Sequence, residues 1–105
     1  MPARYVPDAG DIVWIDFDPQ SGHRPAVVLS PATYNAKAGL IVCCPTTTQI
    51  KGYPFEVKLS GQLESVALAD QVKSFDWRTP RATRKAWATA AELAEIRAKL
   101  RALIS

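Results

Sequence analysis

From Gly22 to Arg24 the chain is a polar loop, and from Ala26 to Leu29 it is apolar at every position before Ser30 and Pro31. A run with no polar residue on either face must be covered on both sides, so Ala26 to Leu29 reads as a buried strand. Pro25 fits the start of that strand, where no ladder donor is needed. The strand fixes the loop, and the loop holds His23, the single histidine of the chain, next to Arg24. Histidine takes and gives a proton near neutral pH. The planar fork of arginine matches a phosphate. Side by side at a strand mouth, they point to phosphate chemistry.

The remaining elements are short. Ile12 to Phe17 alternates, with Val13, Ile15 and Phe17 on one face and Ile12 and Trp14 on the other. Ser30-Pro31 predicts an N-cap followed by proline at the first helical position, with the helix running to Ala38 and ending at Gly39. Leu40 to Cys44 reads as an apolar strand stopped by Pro45. Tyr53, Phe55, Val57 and Leu59 alternate with Glu56 and Lys58, the mark of a half-exposed strand. Ser65 to Val72 reads as a further strand. Trp77 to Trp87 is basic and irregular, with room for one short strand. Thr89-Ala90-Ala91-Glu92 is a capping box that opens a terminal helix. Its apolar stripe is Leu93, Ile96, Leu100 and Leu103, and Glu95 and Lys99 form an i,i+4 pair. Five to seven short strands plus one helix predict a small, strongly bent antiparallel sheet or barrel.

At 105 residues and 48% hydrophobic, the chain reads as one domain spanning 1–105. A formal charge of +3, doubled in a dimer, favours an anionic partner without requiring one. Adjacent Cys43 and Cys44 lack metal-site spacing and read as reduced thiols, one facing in and one out. The sequence has no signal peptide, transmembrane run or lipidation motif, so the expected compartment is the cytoplasm.

Six blocks carry a resemblance: Gly10 to Pro19, Gly22 to Pro31, Tyr34-Asn35, Thr47-Thr48-Gln49, Lys51 to Val57, and Ala69 to Ser74. In this order and at this spacing, the chain resembles the MazF/PemK toxins, the ribonuclease halves of bacterial toxin–antitoxin pairs. The resemblance covers nearly the whole chain. It implies an SH3-like barrel of short antiparallel strands with a C-terminal helix, acting as a homodimer. It also implies cleavage of single-stranded RNA at a short sequence without a metal or other cofactor, leaving a 2′,3′-cyclic phosphate and a 5′-hydroxyl. The implied partner is a MazE-like antitoxin that blocks the RNA groove and through which the complex reaches DNA.

Such cleavage needs a proton removed from the ribose 2′-hydroxyl, a proton given to the leaving 5′-oxygen, and charge neutralised on the phosphorane. Read from the residues alone, Arg24 either serves a phosphate or pairs with Asp16 or Asp18. The resemblance assigns it as the catalytic arginine, and assigns Thr47 as the catalytic threonine. Thr46 and Thr48 are the alternatives to Thr47 one register away. His23 is the candidate general acid or base; otherwise it packs or contacts RNA. Lys51, Lys73, Arg78, Arg81, Arg84 and Lys85 are candidates to track phosphates. Trp14, Phe17 and Tyr53 are either stacking platforms or core. Asn35 and Gln71 read base edges or satisfy backbone groups. Asp16, Phe17, Thr48, Gln49, Lys51, Gln71 and Lys73 make up the expected RNA contacts.

The chain departs from the family pattern in the link between its first two strands, and Gln62-Leu63-Glu64-Ser65 is also slightly short. MazF-like chains carry a longer link between the first two strands, with a glutamate ahead of the Gly-x-Arg-Pro block. Here Asp18-Pro19-Gln20-Ser21-Gly22-His23-Arg24 holds no acidic residue after Asp18, which leaves Asp16 or Asp18 to replace it. Two other readings compete with the ribonuclease. One is a gyrase-binding toxin of the CcdB type, which would act through the end of its last helix. The other is an RNA-binding variant without activity. Arg24, Thr47 and a final helix without an aromatic residue favour cleavage.

Overall fold

A computed structural model describes residues 5–16, 23–61, 64–78 and 82–105; for Asp16 and His23 it describes the backbone alone. The elements in chain order are β1 (Asp11–Asp16), β2 (His23–Val28), α1 (Ala32–Ala38), β3 (Leu40–Thr47), β4 (Glu56–Leu59), β5 (Ser65–Leu68), β6 (Lys73–Asp76), β7 (Thr83–Trp87) and α2 (Ala90–Ile104). The strands form one curled antiparallel sheet in the order β4-β5-β3-β2-β1-β7, with β6 also paired to β3. A mainly β fold closed by a C-terminal helix is what the patterning predicts.

Alternation along β1, β2 and β3 feeds two cores. Ile12, Val27 and Cys44 join Val57, Leu59, Ala67 and Ile96 of α2. Val13, Ile15, Ala26, Val28, Ile41 and Cys43 join Trp77 and Ala82 on the other side. The sheet is therefore buried on both faces at its centre. This corrects the expectation for the cysteines: Cys43 and Cys44 are both buried, one in each core.

Three further expectations are corrected. Pro45 does not stop β3, which runs on to Thr47. One edge of β3 pairs with β6 over Leu40 to Cys43 and with β5 over Thr46 and Thr47, and Pro45 falls between the two partners. Ser30 does not cap α1; Pro31 holds the N-cap position with no side-chain bond. The Ser30 hydroxyl instead donates to Asn35 Oδ1 at 2.6 Å and accepts from the Val42 amide at 2.9 Å. Asp8 Oδ1 takes the Ala32 amide of the first turn. Ser65 to Val72 is not one strand. β5 ends at Leu68, a turn follows with Gln71 N–H on Leu68 O, and β6 then pairs with the first half of β3.

α2 is fastened along its length. Its capping box is complete, with the Thr89 and Glu92 side chains each accepting from the other's backbone. Glu92 Oε2 also takes the Ser60 amide. Arg97 donates to Leu29 O at 2.7 Å, and Lys99 donates to Glu56 O at 2.8 Å while pairing with Glu95 at 3.1 Å. Leu93, Ile96 and Leu100 pack on the first core. Leu103 leaves the expected stripe and is exposed, as is Ile104.

Candidate active site

Arg24 sits on β2 opposite Ile15 of β1. The β2–β3 register pairs Ala26 with Pro45; extended by two residues, it sets Arg24 against Thr47. Side chains reinforce the alignment. Arg24 Nη2 donates to Thr46 O at 3.0 Å, and Thr46 Oγ1 donates to Pro25 O at 3.0 Å. Thr46 is buried and its hydroxyl proton is spent on that carbonyl. Thr47 is half-buried, and its Oγ1 accepts from the Gln49 amide at 3.1 Å. An oxygen used as an acceptor keeps its proton for another acceptor. Of the neighbouring threonines, Thr47 is thus better placed than Thr46 to donate to a phosphate.

Two clefts open on either side of this pair, of about 610 Å³ and about 300 Å³. Arg24 and Thr47 line both. The larger runs between the sheet and the start of α2, past Trp14, Thr48, Lys85 and Trp87. The smaller holds Gln49, Lys51, Tyr53, Asp70 and Gln71. At its rim, the Glu56 carboxylate accepts from the Lys51 amide at 3.0 Å and the Gly52 amide at 2.9 Å, which closes the loop between them. Gly52 takes φ +79°, a left-handed conformation that favours glycine. Lys51 Nζ lies 5.8 Å from the centroid of the exposed Tyr53 ring.

The residues therefore form a ridge between two grooves, carrying a guanidinium and a hydroxyl. The sequence matches the family model described as "PemK-like, MazF-like toxin of type II toxin-antitoxin system" over residues 8–104. The chain belongs to the PemK/MazF toxin family. It is 59% identical over 110 positions to the Escherichia coli (strain K12) endoribonuclease toxin MazF, covering 99% of each chain. It is 30% identical over 109 positions to the endoribonuclease toxin ChpB of the same organism, covering 92% of this chain and 93% of ChpB. The fold superposes on the MazF chain of a MazE–MazF crystal structure from Deinococcus radiodurans with a TM-score of 0.89, 51% identity, and 97% and 98% coverage. The 110 positions aligned with MazF exceed the 105 residues of this chain, so at least five fall opposite gaps in it.

In this PemK/MazF chain the expected contacts divide into groups. Arg24, Thr47, Thr48, Gln49, Lys51 and Gln71 meet around the ridge. Lys73 is on β6 opposite Cys43 and lines neither cleft. Asp16 and His23 pair through their backbones at the open end of β1 and β2; their side chains, and Phe17, Asp18 and Arg81, lie outside the described residues. Asn35 is fully buried and serves backbone groups: its Nδ2 donates to Pro7 O and Ser30 O. Arg78 pairs with Asp76 at 3.5 Å. Trp87, Ser60, Ser65 and Glu92 line the larger cleft, and the sequence reading names none of them as a site residue. For Trp87 a signal existed, since it closes the basic Arg84-Lys85 stretch.

Burial pushes both cysteine thiols up to about 12, which removes them from nucleophilic chemistry at neutral pH. Among the described residues, no three His, Cys, Asp or Glu side chains gather to hold a metal ion.

Proposed function

We propose that this chain is an endoribonuclease toxin that cuts single-stranded RNA at the Arg24–Thr47 ridge by attack of a ribose 2′-hydroxyl. The 2′-oxygen bonds to the adjacent phosphorus and the bond from phosphorus to the 5′-oxygen breaks. The products are a 2′,3′-cyclic phosphate and a 5′-hydroxyl. Arg24 binds the phosphate and stabilises charge that grows on it in the transition state. Thr47 donates to a non-bridging oxygen. His23, next to Arg24 in sequence, moves the proton taken from the 2′-hydroxyl or given to the leaving oxygen. The single observation behind this reading is the ridge itself: one guanidinium and one hydroxyl line two clefts at once, so a strand crossing from cleft to cleft presents a phosphate to both.

The activity is proposed to need no metal, to belong to a homodimer, to be cytoplasmic, and to be silenced by a MazE-like antitoxin that carries the complex to DNA. The relatives crystallised as MazE–MazF complexes support the antitoxin. No helix of the described chain is long and apolar enough to cross a membrane. The test is incubation of purified protein and of Arg24→Ala with a long single-stranded RNA in EDTA, with the cut ends mapped. Discrete cuts with cyclic-phosphate ends, lost in the variant, are expected. Intact RNA overturns the reading, and equal cutting by the variant overturns the role of Arg24.

A further inference from the structure

We propose that the larger cleft is a nucleobase-stacking subsite, with Trp87 as its platform. The proposal rests on the RNA reading above and names what lies beside the scissile phosphate on that side.

Trp87 is 63% exposed. Its neighbours Ala86 and Ala88 are partly buried against the first core, while Trp87 is exposed. An exposed indole on a cleft wall offers a broad flat face for a ring to stack on. It lies on the cleft wall with Trp14, on the strand paired to its own. Each ring carries a cation: Arg84 is 4.1 Å from the Trp87 centroid, and Lys85 is 5.5 Å from that of Trp14.

The charge of the cleft selects the ligand further. Arg24 and Lys85 line it, and among the described lining residues Glu92 is the sole carboxylate. Both oxygens of Glu92 are committed, Oε1 to the Thr89 amide and Oε2 to the Ser60 amide. The cleft therefore offers aromatic walls under a positive field, which suits a flat ring joined to a phosphate. Its remaining polar groups include the hydroxyls of Ser60 and Ser65. A hydroxyl both donates and accepts, so it reads a base edge weakly. Stacking that tolerates several bases follows. The shared wall with Arg24 and Thr47 favours a nucleotide over a protein segment, because the same strand then also crosses the ridge.

The experiment measures binding of a short 2′-O-methyl RNA oligonucleotide, which has no free 2′-hydroxyl to react, by fluorescence anisotropy. Wild type, Trp87→Ala and Trp87→Phe are each titrated with the intact oligonucleotide and with versions carrying one abasic position, scanned along its length. Trp87→Ala is expected to weaken binding about tenfold or more, and Trp87→Phe to recover most of it. One abasic position should cost the wild type a similar factor and cost Trp87→Ala nothing further, the signature of a coupled pair. Additive losses at every position overturn the proposal, as does unchanged binding by Trp87→Ala. Tight binding of an acidic, aromatic peptide that depends on Trp87, with no oligonucleotide binding, overturns it in favour of a protein occupant. Because the oligonucleotide cannot be cut, coupling without ribonuclease activity sinks the catalytic reading alone, and cutting without coupling sinks this one alone.

Discussion

Arg24 and Thr46 are joined across β2 and β3 by a bond from Nη2 to the threonine carbonyl at 3.0 Å. The contact anchors the guanidinium one residue before Thr47, so the charged group and the hydroxyl share one support. Removing a donor that stabilises transition-state charge costs about 10²- to 10³-fold in rate, and Arg24→Ala is expected to lose at least that. Arg24→Lys keeps the charge but loses the planar fork. Its rate should fall between those of Arg24→Ala and wild type, with folding unchanged by circular dichroism. A lysine variant as fast as wild type would show that charge alone suffices.

Glu56 holds the Lys51 and Gly52 amides from one carboxylate, and Lys99 of α2 holds the Glu56 carbonyl. The loop that presents Lys51 and Tyr53 to the smaller cleft is thereby braced by the C-terminal helix. Glu56→Ala is expected to raise KM for RNA while leaving kcat nearly unchanged, because the loop lines the smaller cleft but carries neither Arg24 nor Thr47. Its bonds are solvent-exposed, so the stability loss should be about 1 kcal/mol. Hydrogen exchange at the Lys51 and Gly52 amides is the direct check: both should lose protection in the variant, and retained protection would free the loop from Glu56.

Much of this was legible in the sequence because the relevant physics is local. The Thr89–Glu92 capping box, the left-handed Gly39 at the end of α1 and the Glu95–Lys99 pair depend on neighbours a turn away, and each occurs. The Arg24 and Thr47 blocks lie on strands that pair, so they converge. The errors were tertiary. Pro45 sits inside β3 because the partner on one edge changes there. Ser30 bonds Asn35 and Val42, and no pattern within α1 reveals that choice. Both cysteines are buried because the sheet is covered twice, and alternation within one strand cannot report what covers each face. For Trp87 the basic Arg84-Lys85 stretch is the one local signal, and the cleft beside the ring is set by β1 and α2, far away in sequence.

Asn35 supports the turn from β2 into α1 from inside. It is fully buried; Nδ2 serves Pro7 O at 2.7 Å and Ser30 O at 3.0 Å, and its own carbonyl accepts from Trp77 Nε1 at 2.9 Å. Asn35→Ala strips the side-chain bonds, taking their donor from the Pro7 and Ser30 carbonyls and the acceptor from the Ser30 hydroxyl proton. Each such group costs about 1–3 kcal/mol, so a loss of about 3 kcal/mol is expected. In a domain of this size that lowers Tm by roughly 10–20 °C. Thermal unfolding measures it, and a shift of a few degrees would mean that the site repacks or admits water.

Partial burial pushes the Glu92 carboxyl upward, but hydrogen bonds from Thr89 and Ser60 outweigh it and hold the group below its ordinary range. A group whose pKa is lowered on folding adds stability above its unfolded value and loses it as the pH falls through the folded one. The unfolded value is about 4.3. Acidification from pH 5 downward should therefore destabilise wild type more than Glu92→Gln, and the two should differ most above pH 5. Urea unfolding midpoints at pH 7 and pH 3 measure this. Parallel lines for the two proteins would remove Glu92 from the acid response.

Cys43 and Cys44 occupy opposite faces of β3, each in its own core, with thiols pushed up to about 12 by burial. Labelling needs the cysteine thiolate to attack a sulfur of the disulfide reagent and expel the other as a thiolate, and here the thiolate is both scarce and inaccessible. Neither cysteine should react at pH 8 in the folded protein on the timescale of minutes, and both should react together once the protein unfolds in urea. Because the residues sit in separate cores that share β3, loss of either core exposes its thiol. Cys43→Ser and Cys44→Ser should therefore each destabilise, since each places a hydroxyl in an apolar core. A single thiol that reacts under native conditions would show that one core opens independently of the other, and mass mapping of the labelled cysteine would identify which.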